Sequence, residues 1–122
     1  MDDNQRSVAY FALWDGIKNH AEFVVCLMNR GKIEHARRIL NGKEIRKRHV
    51  MGVIIKSVAR YNRSWSFHLA PESIDFFEVA MEVCDANVAY VEENITEVGG
   101  SFLPDYRWCP WSSTLVREIV MK

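Results

Sequence analysis

Two β-rich runs stand near the start of the chain, Ser7 to Trp14 and Glu22 to Met28 (EFVVCLM), and Asp15-Gly16 breaks the first. Successive side chains on a strand point to opposite faces, so an alternating aromatic run, a turn dipeptide and a second apolar run predict an antiparallel hairpin with a long turn. A helix follows. Asn29 has the side chain of a helix cap, and Ile33, Ala36, Ile39 and Leu40 recur on one face. Arg37 and Arg38 lie near the negative end of that helix, and Gly42 is its stop.

Beyond a basic connector, Val50 to Val58 (VMGVIIKSV) is rich in β-branched residues and reads as a buried strand, with Gly52 marking a close approach or bulge. Tyr61-Asn62-Arg63-Ser64 is a turn, and Trp65 to Leu69 the next strand. Ser73 to Val98 reads in two ways. Ile74, Phe77, Met81, Cys84, Val88, Val91, Ile95 and Val98 recur at spacings of three and four, as on one long helix. Alternatively Ile74 to Cys84 is extended, with Val79, Met81 and Val83 facing one way, and Asp85 caps a shorter helix that Gly99-Gly100 ends. Periodicity leaves both open. SFLPDYRWCPWSS (101–113) has the character of a packed loop, and Thr114 to Met121 closes as a strand.

With 122 residues the chain has room for one core and not two, so residues 1–122 form a single domain. The element order predicts an α+β fold: an antiparallel or mixed sheet of about five or six strands, with helices near 30–41 and 86–98 mainly on one face. A ferredoxin-like βαββαβ arrangement with the long helix is the alternative.

Sixteen Lys and Arg balance sixteen Asp and Glu, so no global field draws in nucleic acid or an anionic surface, and no nucleic-acid partner is expected. The basic run KEIRKRH (43–49) lacks interleaved aromatics and reads as a solvated connector. Glu78, Glu82, Glu92, Glu93 and Glu97 make the later half locally acidic against a basic stretch at 37–48. Such asymmetry favours self-association or a charged protein partner. The longest apolar run, Val8 to Trp14, falls far short of the roughly 20 residues of a membrane span. The opening MDDNQRS has neither the basic start nor the apolar stretch of a secretory signal. Asn62-Arg-Ser and Asn94-Ile-Thr have the form of glycan acceptors.

Cys26, Cys84 and Cys109 contain no C-x-x-C pair, so one thiol is left over whichever pair forms. His49, His68, Glu82 and Asp85 match no recognised metal-ligand spacing, and neither a metal nor another cofactor is expected.

The stretches HVMG, YNRSWSFHLAPESIDFF, EVCDANVAYVEENITEVGGSFLP and WCPWSSTLVREI together resemble a family of small domains. These are found mainly in secreted bacterial proteins and in some larger extracellular or vesicular proteins of lower eukaryotes. The WSFHL, EVCD and WCPWSS blocks carry the resemblance, which extends over nearly the whole chain. The label calmodulin-like that some members bear does not fit, because no D-x-[DN]-x-[DN]-G calcium loop is present. The resemblance implies the split reading of 73–98, a Cys84–Cys109 disulfide and an extracellular setting. No activity comes with it.

Trp108 and Trp111 straddle Cys109-Pro110, and the proline fixes the local backbone so that both indoles are held in set directions. Their first expected role is to seal the end of the sheet. For function, the expectation is a non-enzymatic binding or accessory domain that recognises protein, peptide or small ligand. Its loops would be those around Tyr61 to Trp65 and Phe102 to Trp111, with Tyr61, Asn62, Trp65, Trp108 and Trp111 as contact residues. The alternative is a small hydrolase or transferase with Cys109 as nucleophile, His68 as general base and Asp85 orienting the imidazole. No nucleophile elbow or glycine-rich oxyanion loop supports that alternative.

Overall fold

The computed structural model describes residues 7–80 and 82–120. In chain order the elements are β1 (Ala9–Trp14), β2 (Phe23–Leu27), α1 (Arg30–Leu40), β3 (His49–Ile55), β4 (His68–Leu69), β5 (Asp75–Phe77), α2 (Val88–Glu93), β6 (Val98–Gly99), β7 (Phe102–Pro104), β8 (Arg107–Trp108) and β9 (Thr114–Ile119). This is a small α+β domain. Among the described residues the strands are shared among three sheets, where one sheet was expected. The first has the order β2-β1-β9, the second centres on β3 with β4, β5 and β8 as partners, and β6 pairs with β7. A ferredoxin-like order is not formed, because the chain opens with a directly paired hairpin and β3 takes three short antiparallel partners along its length.

The hairpin forms as the sequence predicts, with Ala9 opposite Leu27 and Leu13 opposite Phe23. Its long turn is pinned by Asp15, whose carboxylate accepts from the Ile17 amide at 2.9 Å and lies 2.8 Å from His20 Nδ1. β9 adds to the other side of β1, with a shift of register between Ala12 and Leu13. In α1 the Asn29 side chain accepts from the Lys32 amide, and Ile33 and Ala36 are buried. The helix lies against β2 and β9, and Arg37 closes a two-pronged ion pair on Glu118 of β9 at 2.9 and 2.7 Å. His35 stacks on Phe76 of β5 at 4.2 Å, so α1 ties the first two sheets together.

Several expected strands are shorter, each for a visible reason. β3 stops at Ile55, where the Ser57 amide turns back to the Ile55 carbonyl and Val58 is exposed. The strand expected from Trp65 shrinks to His68–Leu69. Glu92 of α2 accepts from both the Ser66 amide and hydroxyl, taking a backbone donor that a ladder would have used. Neither reading of 73–98 holds in full: among the described residues of the strand expected from Ile74 to Cys84 only Asp75–Phe77 is extended, and a 3-10 turn at Glu82–Cys84 precedes α2. Asn87, not Asp85, caps that helix, with its side chain accepting from Tyr90 N at 2.8 Å. A second 3-10 turn, Ile95–Glu97, replaces the last turn of the helix expected to reach Val98. Val79 and Val83 are exposed, so they do not share a buried face, and Met81 lies outside the described residues, as does Met121 at the end of the last expected strand.

The core gathers on Trp108. Its ring meets Phe23 edge-on at 5.2 Å and Phe67 at 5.6 Å, and its indole N–H donates to the Ala86 carbonyl at 2.8 Å. Trp108 stands opposite Gly52 of β3, where a Cβ would come within 3.2 Å of Leu69 Cδ1 and Ser73 Oγ. The close approach expected at that glycine is therefore real. Among the described residues no helix is long and apolar enough to cross a membrane.

Candidate functional site: an apolar cleft over Cys84 and Cys109

The tail returns to the sheet through β8, and this brings Cys109 beside Cys84. Their sulfurs lie at disulfide distance, with the Cα atoms 5.1 Å apart. The Cys109 amide also donates to the Cys84 carbonyl at 2.7 Å. With Phe77 they form a second small core, against which Met51, Ala80 and Trp111 pack. Above it opens a cleft of about 370 Å³. Met51, Phe77 and the two cysteines line it, and Val79, Ala80 and Val83 contribute one stretch of its wall. Pro104, Asp105 and Arg107 contribute another. The two valines are 75% and 58% exposed, an apolar rim that the described residues leave open.

The polar wall is built on unusual backbone. Leu103, Asp105 and Tyr106 all have positive φ, at 49°, 62° and 64°. That region is costly for residues with a Cβ and concentrates at sites where the surrounding structure imposes it. Here the imposing contacts are evident. Leu103 is buried, the Tyr106 amide donates to the Leu103 carbonyl, and the Tyr106 carbonyl accepts from the Ile54 amide of β3 at 2.8 Å. The Tyr106 ring lies over Gly99, where a Cβ would fall 2.4 Å from a ring carbon, and only glycine fits.

The expected contact residues fall into separate places. Trp108 is wholly buried and offers no surface to a ligand. Asn62 is 2% exposed and serves as a polar clip: its carbonyl oxygen accepts from the Val24 amide of β2 at 2.8 Å, and its amide donates to the Phe67 carbonyl at 3.1 Å. A buried, doubly bonded amide is no glycan acceptor in the folded chain, which corrects that reading of the Asn62 triplet. Replacing Asn62 with Ala is expected to cost about 1–3 kcal/mol by stranding those two backbone groups, as urea denaturation would register. Trp65 is half-buried, its indole N–H donating to the Glu22 carbonyl at 2.9 Å. Tyr61 packs on Tyr10 at 5.3 Å; burial first, then Cys26, Tyr10 and Glu72, push its phenol up to about 12. Trp111 is half-buried, with His49 at 5.5 Å and Phe77 at 5.7 Å.

The catalytic alternative is not assembled. His68 Nδ1 lies 2.8 Å from the Ser57 carbonyl and its ring lies beside Tyr61. Asp85 accepts from the Trp111 amide at 3.0 Å, and the Cys109 sulfur is engaged by Cys84. The remaining thiol, Cys26, is buried, and that burial pushes its ionisation up. Among the described residues no three His, Cys, Asp or Glu side chains gather as metal ligands.

Sequence reasoning placed one wall of the cleft within the Phe102–Trp111 loop but missed Met51, Phe77, Val79, Ala80 and Val83. The available signal was two valines in an acid-rich stretch whose period fits neither helix nor strand cleanly. Neither a curated protein nor a solved structure matches the chain. A family model does match, over residues 7–122, which takes in every element of the fold and both walls of the cleft. The chain therefore belongs to the family of the BP-74 N-terminal domain.

Proposed function

We propose that the domain is a non-enzymatic binding module whose recognition site is the cleft over Cys84 and Cys109. The observation that carries this reading is the pairing of an apolar cavity with two exposed valines at its mouth, since ligand pockets are concave, mostly apolar and marked by a few polar groups. Its volume lies toward the lower end of the roughly 300–1,000 Å³ common for such sites, which suits a single apolar group rather than an extended chain. A hydrolase or transferase built on Cys109 lacks a free nucleophile while its sulfur is held by Cys84.

Titration with 3-phenyl-1-propanol, followed by the methyl NMR signals of Met51, Val79 and Val83, tests the reading. Saturable shifts confined to these methyls are expected, and Val83→Glu should abolish them while changing stability by no more than about 0.5 kcal/mol, since the side chain is largely exposed. Shifts spread evenly over the surface, or none, would reject the cleft as a site.

A further inference from the structure

Among the described residues the cleft has two charged lining residues, and they have opposite signs. Asp105 and Arg107 stand on the same wall, separated only by Tyr106. Neither makes an ion pair or a side-chain hydrogen bond among the described residues. This sets Arg107 apart from Arg37 and Arg117, which are held two-pronged by Glu118 and Glu22. An unpaired carboxylate and an unpaired guanidinium thus line an apolar hollow, with Asp105 itself on the left-handed corner.

Resting on the binding reading above, we infer that the ligand is a free α-amino acid with an apolar side chain. The three features call for three groups close together on one small molecule. A carboxylate answers Arg107 with a charge-assisted, two-pronged hydrogen bond, and an ammonium answers Asp105. An apolar side chain on the same carbon enters the space between Val79, Val83 and Phe77. A fatty acid or an alkylamine would leave one of the two charges unanswered.

The test uses the whole chain and four probes: L-phenylalanine, N-acetyl-L-phenylalanine, L-phenylalaninamide and 3-phenyl-1-propanol, each titrated against the Val79, Val83 and Met51 methyl signals. L-phenylalanine is expected to bind at least about tenfold more tightly than either blocked derivative. Arg107→Gln should bring it down to the level of the amide, and Asp105→Asn to the level of the acetyl derivative; asparagine tolerates the positive φ at that position. Equal binding of all four probes would overturn the amino-acid inference and leave the apolar site standing. No binding by any probe would overturn both, and a preference for L-phenylalanine that survives both substitutions would overturn the assignment to Asp105 and Arg107.

Discussion

Trp108→Ala is expected to destabilise the fold by about 3–5 kcal/mol, the range for emptying a large buried aromatic site. The ring is fully buried between Phe23 and Phe67, and removing it also strands the Ala86 carbonyl that its indole N–H satisfies. Against a total stability of roughly 5–15 kcal/mol for a domain, the loss leaves a chain that is marginal or unfolded at ambient temperature. Guanidinium denaturation followed by far-UV circular dichroism measures this without relying on the deleted fluorophore. Trp111→Ala provides the control, because that ring is only half-buried and should cost distinctly less. A Trp108→Ala protein within about 1 kcal/mol of the parent would refute the central place given to this ring.

The second large effect lies at the floor of the cleft. Joining Cys84 to Cys109 closes a loop with a sequence separation of 25, which on the chain-entropy model stabilises by about 3.5 kcal/mol. Replacing both with serine should lower the melting temperature by about 10–15 °C for a domain of this size. Intact mass without reductant should be two hydrogens below that of the reduced chain. Alkylation of the folded oxidised protein should leave Cys26 untouched, since it is buried and its thiolate disfavoured, and unfolding should expose that one thiol. Three readily alkylated thiols in the unreduced, denatured chain would show the bridge to be absent. Loss of the bridge should also weaken 3-phenyl-1-propanol binding, because both cysteines line the cleft.

The parts of this fold that were legible in the sequence are those decided locally. Alternation and the Asp15-Gly16 break place β1 and β2, and the Asn29 cap with a 3-4 apolar spacing places α1 to within a residue or so. The stretch after Ile74 was not legible because its local signals compete and distant contacts decide among them. Asp85 and Asn87 are both cap-type residues, and Asp85 is withdrawn from the helix by the Trp111 amide, 26 residues away. Glu92 likewise ends a strand by bonding Ser66 across 26 positions. The two tail tryptophans look alike in sequence. They part company only because β8 sets Trp108 opposite Gly52 and carries Trp111 past the cysteines to His49 and Phe77. The cleft was least legible of all, since an apolar side chain left uncovered has the same letter as one in the core.

The corner at Leu103, Asp105 and Tyr106 has a consequence for anyone who would engineer this chain. Leu103 is buried and Tyr106 packs over Gly99, but Asp105 is exposed, so a blind screen for thermal tolerance should enrich glycine or asparagine at that left-handed position early. Such hardened variants would keep their shape while losing a carboxylate that lines the hollow. A screen that scores heat resistance alone would thus drift away from a charged lining.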